Sequence, residues 1–161
     1  METHSEMGGC NHKRTYMNRG YFGIGVENLK YTCNLGTLWR SAINLGADFI
    51  FCIGKRYKHQ SSDTVKAYRH IPLFQYESIE DFVIPFDCHL IGAEITENAK
   101  DLVSFHHPEK AVYLLGAEDY GISKQAIDRC QYLIKFDSKY CMNVACAGSI
   151  IMWDRYSKMQ S

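Results

Sequence analysis

Six apolar runs recur along the chain: "YFGIGVE" (21–27), "DFIFCIG" (48–54), "PLFQYE" (72–77), "CHLIGAE" (88–94), "AVYLLG" (111–116) and "QYLIKF" (131–136). Most are rich in β-branched or aromatic residues, and each is bounded by Gly, Pro or polar clusters, the pattern of a strand. Their apolar residues run on with little alternation, as strands buried on both faces require. Helical periods fill the gaps. The clearest is the stripe Leu35, Leu38, Trp39, Ala42, Ile43, with Gly46 placed to cap its end. Further helices are predicted over 63–69, 78–83, 97–105, 123–130 and 143–157. Strands separated by helices predict an α/β fold, a mostly parallel sheet with helices on both faces. A chain of 161 residues supports one core. Residues 20–161 therefore read as a single domain, and the polar, aperiodic residues 1–19 as a flexible tail.

Net charge excludes little, because 18 basic residues face 18 acidic ones. Its distribution says more. Between 54 and 70, Lys55, Arg56, Lys58, Lys66 and Arg69 face only Asp63, which fits either a solvated surface or a phosphate-contacting patch. Residues 71–121 carry ten acids against Lys100 and Lys110, so an RNA is expected to approach from another side. The seven cysteines lack zinc-type pair spacing, which predicts free thiols in a reducing cytoplasm. Cys10 and His12 are too few ligands for a metal, and no metal is expected. No apolar stretch reaches the roughly 18 residues of a membrane span, so no membrane partner is expected.

Three stretches carry chemistry. In "ENLKYTCNLGTLWRSAINLGA" (27–47), Asn34 is predicted to N-cap the helix. Arg40 falls off the apolar stripe, which suits either an ordinary solvated arginine or a guanidinium aimed at a phosphate or a developing oxyanion. In "VYLLGAEDYGIS" (112–123), a strand ends at Gly116 and a tight loop reaches Gly121; a plain turn explains the glycines but does not require Glu118. Ligands of open α/β sheets sit at such strand ends. In "KYCMNVACAGSIIMWDRY" (139–156), a helix is predicted with Val144, Ala147, Gly148 and Ile151 on one face. Its small residues cost helix stability, so something must come close: the same chain, a second copy or a ligand. Gly23 and Gly25 do not complete a dinucleotide fingerprint, since position 28 is Asn. His106-His107 beside Pro108 reads as a surface turn.

In order and spacing, these stretches resemble the three signature motifs of the SpoU (TrmH-like) branch of the SPOUT RNA methyltransferases. Asn34, Gly36, Arg40 and Gly46 match the first motif. Gly116, Glu118, Gly121, Ile122 and Ser123 match the second. Met142, Asn143, Val144, Ala145 and Ala147 match the third, with Cys141 where serine is usual. The resemblance covers roughly residues 20–157 and implies a C-terminal deep trefoil knot, a rare exception to the rule against threading. It implies S-adenosylmethionine bound within the knot by loops around Ala93 and Glu94, Gly116 to Gly121, and Phe136 to Cys141 and Met142.

It further implies a homodimer whose active site draws on both copies, and methyl transfer to a ribose 2'-hydroxyl of tRNA or rRNA. Arg40 is then expected to accept the hydroxyl proton or stabilise the alkoxide. Asn34 and Asn143 are expected to orient the ribose and the loops, and Glu118 to anchor the knot or position Arg40. Arg40, Lys55, Arg56, Lys58 and Arg69 are the expected RNA contacts. The short tail resembles the minimal enzymes of the family, which favours tRNA. The Cys141 departure keeps open a second reading, a non-catalytic dimeric RNA-binding protein that retains the knot. A nicotinamide-dependent oxidoreductase would need the glycine fingerprint that is missing.

Overall fold

Every apolar run becomes a strand. The computed structural model describes residues 20–54 and 66–160. In it β1 (Tyr21–Glu27), β2 (Phe49–Ile53), β3 (Leu73–Tyr76), β4 (His89–Ala93), β5 (Lys100–Asp101), β6 (Lys110–Leu115) and β7 (Tyr132–Lys135) form one sheet. Its order is β3-β2-β1-β6-β4-β7-β5, and every pairing is parallel. The helices are α1 (Thr32–Leu45), α2 (Lys124–Arg129) and α3 (Val144–Met159). The expectation of a two-faced parallel sheet therefore matches the structure.

Alternation along the strands divides the core. Phe22, Ile24 and Val26 of β1 point to the face covered by α1 and α3, where Leu35, Leu38, Trp39, Ile151 and Met152 meet them. The other side of β1 carries Gly23 and Gly25, and a Cβ on either would collide with the side chains of Phe49 and Phe51. Those rings fill the second core together with Phe82, Leu90, Leu114, Ile122 and Ala126. The glycines of the first strand thus serve packing between strands, which is why they spell no nucleotide fingerprint.

Two predicted helices do not form. Over 78–83 the Ser78 hydroxyl donates to the Asp81 carboxylate at 2.7 Å and accepts from the Asp81 backbone N–H at 3.3 Å, so a side-chain turn replaces the helix. Arg129 of α2 donates to the Ile79 and Phe82 carbonyls and pins this turn onto the second core. Over 97–105 the chain forms β5 and a 3-10 turn at Leu102–Ser104. Here tertiary pairing wins: Ile134 of β7 is in register with Ala93 of β4 on one side and Lys100 of β5 on the other. Residues 94–99 therefore step across β7 without reversing direction. The predicted 63–69 helix reduces to a 3-10 turn at Ala67–Arg69, with 63–65 outside the described residues, as is the tail 1–19.

The last helix is held at both ends. Near its start, a Cβ on Gly148 would stand 2.4 Å from Leu38 Cδ1, so the small residues admit α1 of the same chain. Near its end, the buried Arg155 donates to the Pro108 and Glu109 carbonyls at 2.6 and 2.8 Å and lies 4.8 Å over the Phe22 ring. His107 corrects the surface-turn expectation, because its side chain is wholly buried. Its Nε2 faces the Asp154 carboxylate at 2.8 Å and must donate there; Nδ1 then accepts from the Tyr113 hydroxyl at 2.6 Å. Lys158 donates to Asp154 at 2.7 Å and to the Leu102 and Phe105 carbonyls. Burial pushes the Tyr113 phenol up to about 12.

Two outcomes follow. Gly148→Ala should stay within about 1 kcal/mol of wild type in urea unfolding, since the helix gains propensity while a flexible leucine tip yields; Gly148→Val should lose about 1–3 kcal/mol. Burial holds the His107 imidazole below its ordinary 6.5 against the opposing pull of Asp154. The unfolded chain then takes up the proton first, so stability should fall as pH drops below 6.5. A urea midpoint series should show that slope in wild type and a flatter one in His107→Gln.

Candidate active site

The carboxyl ends of β4, β6 and β7 open into a cleft of about 340 Å³. Ala93 and Glu94 line it after β4, Gly116 and Gly121 after β6, and Phe136, Cys141 and Met142 after β7. All seven residues expected to hold a cofactor therefore surround one space. Its walls mix apolar side chains, Leu115, Ile134 and Val144 among them, with Glu94, Glu118 and Asp119 and with Lys135. That combination of an apolar hollow and a few convergent polar groups suits a small ligand.

The loop after β6 folds very tightly. The Gly121 N–H donates to the Ala117 carbonyl at 2.9 Å, and Gly121 takes φ +66°, the left-handed region that favours glycine. A Cβ on Gly116 would stand 2.0 Å from the Gly121 carbonyl carbon. The Glu94 carboxylate accepts from the Ile122 N–H at 2.7 Å and from the Ile95 N–H at 3.1 Å, tying the end of β4 to this loop. Glu27, at the end of β1, accepts from both the N–H and the hydroxyl of Ser123 at 2.7 Å. It is 3% exposed. Sequence reasoning gave Glu27 no role; the signal was an acid at the end of an otherwise apolar strand, where only a partner makes its burial tolerable.

One set of contacts joins the three stretches. Glu118 Oε1 accepts from the amide of Asn34 at 2.8 Å and from that of Asn143 at 3.0 Å. The Asn143 amide also donates to the Asn34 carbonyl oxygen at 3.1 Å. The remaining oxygen of Asn143 accepts from the Ala145 N–H at 2.9 Å and the Cys146 N–H at 3.4 Å and so caps α3. Asn34 behaves differently from expectation. Helix α1 begins at Thr32, with Tyr31 at its N-cap and no side-chain cap. Asn34 thus lies inside the first turn, its amide drawn to Glu118.

Arg40 is exposed on α1; its carbonyl accepts from the Asn44 amide at 2.9 Å, and its guanidinium meets no partner among the described residues. Glu118 therefore positions two asparagines and not Arg40 within this chain. Arg69 is exposed, 5.8 Å over the Tyr68 ring, while Lys55, Arg56 and Lys58 lie outside the described residues. Cys141 is an exposed free thiol at the cleft.

The Glu118 node yields a sharp outcome. Asn143→Asp preserves a good N-cap but replaces the donor at 3.0 Å with an oxygen facing a carboxylate. It should lose about 1–3 kcal/mol in urea unfolding at neutral pH and recover part of it below about pH 4. Asn143→Ser, which caps without adding charge, should lose less.

The family model described as the SpoU rRNA Methylase family matches residues 22–153. A Staphylococcus haemolyticus protein, provisionally named a TrmH family tRNA/rRNA methyltransferase, is 26% identical over 144 residues; these span 83% of this chain and 57% of that protein. The mouse tRNA (guanosine(18)-2'-O)-methyltransferase TARBP1 is also 26% identical, over 79% of this chain and 9% of its own length. Among solved structures, the AdoMet-bound rRNA methyltransferase of Sinorhizobium meliloti superposes with TM-score 0.76 at 20% identity, covering 90% of this chain and 61% of that one. The chain thus spans little more than half of the first of these relatives. By the extent of the family match, which takes in the motif residues of all three stretches, the chain belongs to the SpoU rRNA methylase family.

Proposed function

We propose that the protein is an S-adenosylmethionine-dependent RNA methyltransferase acting on a ribose 2'-hydroxyl, with tRNA favoured over rRNA, working as a cytoplasmic homodimer. The observation that carries the reading is the convergence of Asn34, Glu118 and Asn143 beside a cleft built from three strand ends. The preference for tRNA rests on TARBP1, whose name specifies tRNA 2'-O-methylation. The C-terminal knot belongs to the same reading: β7, late in the chain, lies between two strands that residues 94–99 already connect. The exposed Ile150 and Trp153 on α3 favour a second copy as neighbour.

The residues present suit the cofactor. A cleft of about 340 Å³ falls within the size range of small-molecule sites, roughly 300–1,000 Å³. Gly116 and Gly121 leave backbone exposed to a ligand, Leu115, Ile134 and Phe136 offer apolar contact to a flat ring, and Glu94 and Asp119 bring negative charge beside a cation. When bound, S-adenosylmethionine supplies a methyl group made electrophilic by its sulfonium.

The chain's own residues supply position and charge. Asn34 and Asn143, locked by Glu118, set the three loops and face the ribose. Arg40 handles the hydroxyl as its proton leaves. A guanidinium is a fixed cation and not a resting base, so the main contribution of Arg40 is to stabilise the developing oxyanion while a transient acceptor takes the proton. Arg40 is not among the residues lining its own chain's cleft, so the reading assigns it to the subunit boundary, facing the cleft of a second copy.

The test is twofold. Calorimetry should detect binding of S-adenosylmethionine and none of NAD. Incubation with labelled cofactor and total RNA should place label on a ribose 2'-oxygen of tRNA, and Arg40→Ala should cut the rate by about 100-fold or more. RNA binding without cofactor binding would favour the non-catalytic reading, and an unchanged rate in Arg40→Ala would remove Arg40 from the chemistry.

A further inference from the structure

Three tyrosines stand out of the surface around the Asn34–Glu118–Asn143 node. Tyr31 is 51% exposed, Tyr120 90% and Tyr140 76%. Tyr31 precedes Asn34 by one turn, Tyr120 follows Glu118 in the same loop, and Tyr140 precedes Asn143 in the third. The hydrogen bonds among those partners, between 2.8 and 3.1 Å, bring together the three segments that carry these tyrosines, beside a cleft whose lining includes Tyr120. Rings so exposed add little to folding, since they meet water in the unfolded chain as well.

Their backbones are nevertheless fixed. The Tyr31 carbonyl accepts from the Asn34 N–H at 3.1 Å, and the Tyr140 carbonyl from the Ser138 hydroxyl at 2.9 Å. Tyr120 sits inside the loop closed by Ala117 and Gly121. Each of the two outer tyrosines also carries a cation from the preceding residue. Lys30 Nζ lies 5.4 Å from the Tyr31 ring centre and Lys139 Nζ 5.6 Å from that of Tyr140. Lys30 shares its charge with Asp119 at 2.6 Å, whereas Lys139 makes no ion pair among the described residues.

We propose that Tyr31, Tyr120 and Tyr140, with Lys30 and Lys139, form a stacking rim that holds unpaired nucleotides of an RNA over the mouth of the cleft. The proposal rests on the reading of the protein as an RNA methyltransferase and names the substrate class: a single-stranded segment or splayed loop, not a continuous duplex. Exposed aromatic faces beside cations are what successive bases and their phosphates require, and the preference tolerates sequence because every base has a π-face. In a duplex those faces are covered by neighbouring pairs. The acids of the cleft, Glu94, Glu118 and Asp119, repel a phosphate that enters deeply, so the backbone is left to the lysines on the rim.

The test uses the full chain and two dye-labelled RNAs of about ten nucleotides, one unstructured and one fully paired, read by anisotropy. The unstructured RNA should bind more tightly. In Tyr31→Ala/Tyr140→Ala its affinity should fall about tenfold or more, while Tyr31→Phe/Tyr140→Phe should stay within about twofold and duplex binding should not change. Equal loss in the Phe variant would mean hydrogen bonding by the hydroxyls and overturn the proposal; so would an unchanged Ala variant, or a duplex bound as tightly as the single strand. Methylation by the wild type is scored separately. If it occurs while the Ala variant binds like wild type, the rim fails and the enzyme reading stands. If the wild type neither binds S-adenosylmethionine nor methylates RNA, the enzyme reading fails and the rim with it.

Discussion

A single carboxylate oxygen does the gathering on which this protein depends. Glu118 Oε1 accepts from an amide in the first turn of α1 and from the residue that caps α3. Hydrogen bonds to an ionised acceptor are stronger than neutral ones, and two donors on one oxygen leave its charge well compensated. Segments 84 and 25 residues away from Glu118 are thereby held at one strand end. The same contacts set where the cleft opens and where α3 begins, so stability and site geometry share one cause.

Around that node the chain answers a packing problem with small residues. Gly148 admits Leu38, and Gly116 and Gly121 let one loop turn back on itself within van der Waals distance. Glycine inside a helix costs about 1 kcal/mol relative to alanine, and that cost is offset by close contact between the last helix and the first. The tight loop in turn leaves N–H groups for the carboxylates of Glu27, a buried acid whose charge would otherwise be expensive to desolvate, and of the partly buried Glu94.

The opposite end of the sheet has a different task. There His107, Asp154, Lys158, Tyr113 and Arg155 fasten the far half of α3 to the start of β6 by a chain of side-chain and carbonyl hydrogen bonds. The last helix is thus fixed at both ends, and its exposed Ile150 and Trp153 face outward on a rigid element. Chemistry and fastening are separated by the length of the strands, which lets the cleft be built from loops without loosening the core.

Sequence by itself determined six of the seven strands, the first and last helices and the residues of three loops that line one cleft. Near-continuous apolar runs, a stripe at helical spacing and glycines beside a lone acid are local signals, and each has a local physical reason. The failures have another character. The helix expected over 97–105 gave way to pairing with β7, the helix over 78–83 to a side-chain turn, Asn34 left its expected capping place for Glu118, and His107 went inside to meet Asp154. Only the tertiary structure could decide these: the Asn34 and His107 contacts span 84 and 47 residues, and the Ser78 turn, itself local, is pinned by Arg129 from 50 and 47 residues away, so their free energy exists only once the fold has brought the ends together.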